Sequence, residues 1–275
     1  MQITKMHGLG NDFIIFCPKD ETVDLNKIAI KMCARRIGAG ADGILLVLPS
    51  EKCDIRMRII NADGSEAEMC GNGIRCFAKY VYEKGIVKQE EMTIETIAGT
   101  IKPKLIVEDG VVSSIIVDMG SPIFEPEEIP ANIEKDKILS EKITVMGEEF
   151  DIACINMGVP HTMVFVNKID NNIVRKFGPI IEKDNLFPKN TNVNFVEIID
   201  KSIIKVSTWE RGAGKTMACG TGCCASVVAA FLRGVTDRKV KVELKAGNLY
   251  IEYLEDGRVL MTGPATVVYE GIYFD

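Results

Sequence analysis

The sequence is poor in the features that most often bind metals or nucleic acids. Its 275 residues include only two histidines, His7 and His161, and none of its nine cysteines forms a Cys-x-x-Cys pair. The usual zinc-site spacings cannot be assembled from these residues, so we predict no metal. The formal net charge of -6 leaves no basic surface for a phosphate backbone, so we expect no nucleic-acid partner.

Long hydrophobic runs are also absent. The longest strongly apolar stretch, residues 223–232, is about half the length of a membrane span. The start of the chain has no apolar segment of the secretory type. The odd number of cysteines favours free thiols in a reducing compartment over a disulfide framework. We therefore expect a soluble cytoplasmic protein with no membrane partner.

What the sequence does contain is an ordinary globular composition, with 47% hydrophobic and 26% charged residues. Runs rich in Ile and Val alternate with helical patterns, which predicts an α/β (α+β) fold. Predicted strands cover residues 2–5, 13–17, 44–48, 55–60, 92–96, 101–107, 111–118, 150–155, 162–166, 193–199, 203–208, 248–253, 258–262 and 265–274. Predicted helices cover residues 25–36, 72–82, 173–183 and 221–233.

A motif that occurs twice in the sequence indicates two similar domains. Cys70-Gly71-Asn72-Gly73 precedes one predicted helix and Cys219-Gly220-Thr221-Gly222 precedes another, a little over half the chain later. That distance is too long for a solenoid repeat and fits a pair of related domains. A turn-rich segment, residues 120–130, separates the halves. We predict domains at 1–118, joined by a returning strand at 265–275, and at 119–264.

Two glycine motifs that resemble nucleotide-binding sequences do not fit that use. Gly38, Gly40 and Gly43 have the dinucleotide spacing, but a helix precedes them and a strand follows, which is the reverse of the required order. Gly214-Lys215-Thr216 lacks the earlier glycine of a P-loop, because Trp209 occupies that position. We therefore expect neither NAD nor ATP as a cofactor.

The paired Cys-Gly-x-Gly elements are the strongest chemical signal. A cysteine at the first turn of a helix lies near unpaired amides and the positive end of the helix dipole, which lowers the pKa of its thiol. One such cysteine is equally well explained as an inert buried residue beside a turn. Two matched copies favour a thiolate and a thiol that remove and return a proton on opposite sides of an α-carbon.

These residues belong to a longer series of ordered motifs that spans essentially the whole chain. The motifs are Gly8-Leu9-Gly10-Asn11-Asp12-Phe13, Gly40-Ala41-Asp42-Gly43, Asn61-Ala62-Asp63-Gly64-Ser65, Glu68-Met69-Cys70-Gly71-Asn72-Gly73, Pro160-His161, Asn192-Val193-Asn194-Phe195, Glu210-Arg211-Gly212-Ala213-Gly214 and Ala218-Cys219-Gly220-Thr221-Gly222. The series resembles the diaminopimelate epimerase family of cofactor-independent amino-acid racemases. The resemblance implies two domains, each a small β-barrel-like sheet around a central helix, with the active site in the cleft between them. It also implies a homodimer that interconverts LL- and meso-diaminopimelate for lysine and peptidoglycan synthesis without pyridoxal phosphate, metal or any other cofactor.

The resemblance assigns roles to individual residues. It implies that Cys70 and Cys219 are the acid/base thiols and that His161 and Glu210 adjust their pKa values. Arg211 suits bidentate pairing with a distal carboxylate. The implied substrate-binding residues are Asn11, Asn61, Gly71, Asn72, Asn192, Glu210, Arg211, Gly220 and Thr221.

One position departs from the family pattern and keeps alternatives open. Val159 precedes the Pro-His pair, where the family commonly has an asparagine that binds the distal end of the substrate. An apolar side chain cannot donate that hydrogen bond, so an epimerase or racemase of another amino acid is the main alternative. A Cys–His hydrolase would depend on only one of the two cysteines. A non-catalytic amino-acid-binding protein would need neither.

Overall fold

The computed structural model describes residues 1–18 and 24–274 in two compact units. Residues 1–118 and 262–275 form the first unit, and residues 119–261 form the second. Residues 19–23 and 275, which belong to the first predicted domain, lie outside the described part of the chain. The predicted domain boundaries remain a prediction. The two units are defined by which residues contact one another, whereas a domain is defined by its ability to fold independently.

The secondary structure of the first unit is mainly strand. Its helices are α1 (Leu25–Cys33) and α2 (Gly71–Glu83). Its strands are β1 (Gln2–Gly8), β2 (Asn11–Phe16), β3 (Gly43–Leu48), β4 (Ile55–Asn61), β5 (Glu66–Ala67), β6 (Ile94–Thr96), β7 (Gly99–Ile101), β8 (Lys104–Glu108), β9 (Val111–Asp118) and, at the end of the chain, β19 (Thr266–Ile272).

The second unit has the same character. Its helices are α3 (Asn171–Glu182) and α4 (Gly220–Leu232). Its strands are β10 (Glu141–Val145), β11 (Glu148–Asn156), β12 (Pro160–Phe165), β13 (Asn192–Ile198), β14 (Ile203–Glu210), β15 (Gly214–Lys215), β16 (Lys239–Leu244), β17 (Gly247–Tyr253) and β18 (Val259–Gly263).

In the first unit, α2 is the central helix. The main sheet has the order β19-β1-β2-β3-β4-β6-β7, and α2 packs on β1, β2 and β3. Ile74, Cys76 and Phe77 of α2 are fully buried against this sheet. The helix ends before Gly85, whose φ of +68° is the left-handed conformation that glycine adopts without steric cost.

In the second unit, α4 takes the corresponding place. The strands run in the order β10-β11-β12-β13-β14-β16-β17-β18, with α4 on β11 to β14 and on β17. Apart from one serine, Ser226, the segment from Cys223 to Ala230 consists of apolar residues, and all of it is buried. The predicted two-part α/β fold is confirmed, with one refinement. In the part of the chain that the structure describes, the sheets are not closed barrels.

Most predicted elements form within a few residues of their expected bounds, with two exceptions. The strand predicted over residues 101–107 is divided into β7 and β8, because Pro103 cannot donate a ladder hydrogen bond. Strands β5, β10, β15 and β16 were not predicted. Gly38, Gly40 and Gly43, which have the dinucleotide spacing, lie in the turn from α1 to the start of β3. A Cβ on Gly38 would lie 2.2 Å from the carbonyl oxygen of Lys31. No helix in the described part of the chain is long and apolar enough to cross a membrane.

Candidate functional site

Cys70 stands at the N-cap of α2, where the sequence predicted it. Its backbone is extended (φ -145°, ψ 116°), and its Sγ accepts a hydrogen bond from the amide of Gly73 at 3.4 Å. The thiol also donates to Oδ1 of Asn11 at 3.6 Å. The side chain is half-buried, so the sulfur caps the helix and is still open to a ligand.

A buried network fixes the turn that carries Cys70. Asn72 donates through Nδ2 to Oδ1 of Asn11 at 3.1 Å, and its own Oδ1 accepts from Arg75 at 3.0 Å. The Arg75 guanidinium is fully buried and also donates to the carbonyl oxygens of Gly71 and Pro264. Sequence reasoning missed Arg75, because nothing near it in the sequence indicates its distant partner, the Pro264 carbonyl.

We expect Arg75→Met to destabilise the protein strongly. The change leaves the Gly71 and Pro264 carbonyls and Oδ1 of Asn72 without this donor, and the expected loss is about 2–4 kcal/mol of unfolding free energy. Urea unfolding measures it, with the exposed Arg36→Met as the matched control, expected within about 0.5 kcal/mol of wild type. Equal stability of the two variants would show that the Arg75 network does not hold this turn.

Cys219 occupies the corresponding position at the N-cap of α4. Its backbone is also extended (φ -122°, ψ 108°), but its thiol is buried and lies 3.5 Å from the hydroxyl of Thr221. Glycine is the only residue type that fits at position 222, beside the Cys219 thiol. A Cβ there would lie 3.3 Å from the Cys219 sulfur and 2.2 Å from Oδ1 of Asn194.

A chain of hydrogen bonds links Cys219 to His161. Thr208 donates to Oδ1 of Asn194, so the Asn194 amide nitrogen donates to Nδ1 of His161 at 3.1 Å. With Nδ1 as acceptor, the neutral ring carries its proton on Nε2 and donates to the Thr221 hydroxyl at 3.0 Å. The Thr221 hydroxyl can then donate to the Cys219 sulfur.

Burial determines the protonation of this network. The pKa of the Cys219 thiol is raised well above its ordinary value, first by burial and then by the nearby Glu210 carboxylate, while hydrogen bonds from Thr221 and the Gly222 amide lower it less. The sequence-based expectation of a lowered pKa is therefore wrong for Cys219, because desolvation outweighs the helix terminus. Burial, with a smaller contribution from Arg211, lowers the pKa of His161 to about 3.

The buried neutral His161 predicts a specific pH dependence of stability. Its pKa is about 6.5 when unfolded and about 3 when folded, so below pH 6.5 the unfolded chain binds more protons. The stabilisation is complete above pH 6.5 and is lost as the pH falls toward 3. Between pH 7 and pH 4.5, wild type should lose about 2–3 kcal/mol more unfolding free energy than His161→Gln. Urea unfolding at both values checks this, and parallel losses in the two proteins would refute it.

The loop that carries Arg211 is anchored by its backbone. Oδ1 of Asn192 accepts from the Arg211 amide at 3.0 Å, and Nδ2 of Asn192 donates to the carbonyl of Pro160. Glu182, at the end of α3, accepts from the Gly212 amide at 3.0 Å and from the Trp209 indole at 2.7 Å. The Arg211 side chain is exposed and donates to the carbonyl of Lys189. The loop is therefore fixed while its guanidinium can reach a ligand.

The structure brings most of the predicted residues together within their own unit. In the first unit, Asn11, Gly71 and Asn72 join Cys70 in one hydrogen-bond network. Asn61 stands apart at the end of β4, where its side chain donates to Ser65. The second unit gathers around Cys219 and the Arg211 loop the residues His161, Asn192, Glu210, Gly220 and Thr221.

Sequence reasoning missed Asn194 and Glu182. The signal for Asn194 was present, since alternation along β13 places it on the same face as Asn192. Nothing in the sequence marked Glu182, whose partners lie on a distant strand and loop. Within residues 1–18 and 24–274, no group of His, Cys, Asp or Glu side chains is arranged to hold a metal ion.

Comparison with solved structures defines the class of fold. A hydroxyproline epimerase from Agrobacterium vitis matches with a TM-score of 0.70 at 17% sequence identity, covering 100% of this chain and 93% of that one. At this identity the likeness shows the fold alone. The chain thus has the two-part α+β fold of that epimerase.

Sequence comparison then gives the family. The family model for diaminopimelate epimerase matches residues 3–125 and 153–268. Diaminopimelate epimerases from Caldanaerobacter subterraneus subsp. tengcongensis and from Moorella thermoacetica are 52% and 51% identical, and each match covers 98% of this chain and 98% of the relative. The chain belongs to the diaminopimelate epimerase family and is an isomerase.

Proposed function

We propose that the protein interconverts LL- and meso-diaminopimelate, a step of lysine and peptidoglycan synthesis. The observation that carries this proposal is the matched placement of Cys70 and Cys219, each an extended N-cap residue at the start of the central helix of its unit. Family membership supports the substrate, since the named relatives are diaminopimelate epimerases.

In the proposed mechanism, the two thiols act on opposite faces of one α-carbon. One cysteine thiolate takes the α-hydrogen as a proton, and the bonding pair stays on the carbon as a planar carbanion. The other cysteine thiol gives its proton to the opposite face, which inverts the configuration. The roles of the thiols are exchanged after each turnover, and the reverse reaction restores them.

The helix termini are proposed to stabilise the carbanion. The first amides of a helix have no acceptor within the helix, so those of Gly71-Asn72 and Gly220-Thr221 are suited to bind the substrate carboxylate. Charge delocalised from the α-carbon into that carboxylate then meets donors already in place. The Arg211 guanidinium is proposed to bind the distal carboxylate in a bidentate pair.

Val159 is the main argument for another substrate. Its side chain is half-buried, and its carbonyl accepts from the amide of Met157. An apolar group here supplies no donor to the distal end of diaminopimelate. In the proposed function, Arg211 therefore supplies a larger share of distal recognition.

Solvent isotope exchange tests the proposed reaction. Dialysed protein without pyridoxal phosphate or metal is incubated in deuterated water with LL-diaminopimelate. Mass spectrometry and NMR should show α-deuterium in the meso product. Exchange that requires added pyridoxal phosphate or metal would refute the cofactor-independent mechanism. A preference for a monocarboxylic amino acid would refute the substrate and favour the alternative epimerase.

We also propose a homodimer in the cytoplasm. The edge strand β19 pairs with β1 on one side only, and Val267, Val268 and Tyr269 on it are exposed, which suits association with a second copy. Each of the nine cysteines, all of which lie in the described part of the chain, is a thiol and not half of a disulfide, which suits a reducing compartment. Light scattering should give twice the chain mass, and a monomer at micromolar concentration would refute the dimer.

A further inference from the structure

The second unit contains a cavity that the proposed reaction does not use. It has a volume of about 920 Å³, in the range of small-molecule sites, and is bounded by the start of α3, β14, β15 and the β16–β17 turn. Lys205 and Ser207 line it from one face of β14. Because side chains alternate along a strand, Thr208, which donates to Asn194, points to the opposite face. Val206 also lines the cavity, but none of His161, Asn194, Thr208 and Thr221 does, so the cavity is separate from the network of His161.

The walls of this cavity carry an excess of positive charge. Arg175, Lys215 and Lys245 line it, in a protein whose net charge is negative. They are close enough to act on each other: the pKa of Lys215 is lowered, first by burial and then by the charges of Arg175 and Lys245. Among the described residues, neither Arg175 nor Lys245 forms an ion pair.

The acidic residues of the cavity leave an excess of positive charge, since Asp170 raises the pKa of Lys215 less than Arg175 and Lys245 lower it. The Asp170 carboxylate accepts hydrogen bonds from the amides of Asn172 and Ile173 and so caps α3. Glu243 pairs with Lys241 at 2.9 Å. The positive charges of Arg175 and Lys245 disfavour the charged form of Lys215, and a bound anion would offset this repulsion.

From this charge, the cavity volume and the Ser207 hydroxyl, we propose that the cavity binds a small phosphate-bearing molecule. A phosphate group offers several acceptor oxygens and about two negative charges, which suits an arginine fork together with lysine ammonium groups. Ser207 adds a hydroxyl donor to the wall. The volume exceeds that of a lone phosphate and leaves space for the rest of a metabolite.

Calorimetry with pyrophosphate as the probe tests the proposal without reference to activity. Wild type should bind it saturably at constant ionic strength. The double variant Arg175→Gln/Lys245→Gln should lose about tenfold or more in affinity for each cation removed. The matched control, Lys142→Gln/Lys239→Gln, removes two lysines of the same unit that pair with Glu149 and Glu252. It should bind as wild type does.

The outcomes separate the proposal from nonspecific attraction. Loss of binding in the cavity variant alone supports the site. The absence of saturable binding to wild type, or equal affinity in wild type and the cavity variant, overturns it. An equal loss in the control variant also overturns it, because net charge would then explain the binding. Citrate that binds as tightly as pyrophosphate would overturn the assignment to phosphate.

Discussion

Replacing either Cys70 or Cys219 by alanine should reduce epimerisation of LL-diaminopimelate by about 10²–10⁴-fold, the range expected when a positioned acid or base is removed. Each thiol serves one face of the α-carbon, so one cannot replace the other. In deuterated water, each single variant should exchange only the epimer whose hydrogen faces the remaining thiol, without inversion. Polarimetric assays and NMR of recovered substrate measure both effects.

The control for the cysteine variants is Cys17→Ala, which removes an exposed thiol and should keep wild-type activity. Loss of activity in only one of the two site variants would favour the Cys–His hydrolase and contradict the two-base mechanism. Full binding with no turnover in any form of the protein would favour an amino-acid-binding protein. Unchanged unfolding free energy of the active-site variants shows that the losses are chemical.

Replacing Arg211 by lysine should weaken the use of diaminopimelate by about 2–4 kcal/mol in kcat/KM, which is on the order of 30–1000-fold. Lysine keeps the charge but loses the two parallel donors that match a carboxylate. The loop itself should stay in place, because Asn192 and Glu182 bind its backbone amides and not the guanidinium. Steady-state kinetics on both epimers provide the measurement.

For Arg211 the matched control is Arg258→Lys, a change at an arginine that pairs with Asp256 elsewhere in the second unit. Its kcat/KM should equal that of wild type. If Arg211→Lys also retains wild-type kinetics, the guanidinium does not bind the distal carboxylate. Val159 would then become the residue to examine for a different substrate.

Local sequence was sufficient for the elements that carry the two thiols. Helix α2 was predicted over residues 72–82 with Gly85 closing it, and the hydrophobic pattern placed α4 over residues 221–233, after Cys219. These are interactions between residues a few positions apart, so the sequence expresses them directly. Each cysteine is followed by glycines, of which Gly73 and Gly222 pack too closely against neighbouring atoms for a larger side chain to fit freely. Strand β16 could also have been predicted from the sequence, because its apolar and polar residues alternate.

The sequence by itself determined the α/β class, the position of both cysteines at helix starts and, through its ordered motifs, the resemblance to one family. Only the tertiary structure decided which distant groups meet. Arg75 donates to Pro264 across 189 positions, and His161 reaches Thr221 across 60. It also decided that Cys219 is buried and its pKa raised, against the effect expected of a helix terminus. Burial and long-range hydrogen bonds depend on how strands and helices pack, and no local spacing of residues encodes that packing.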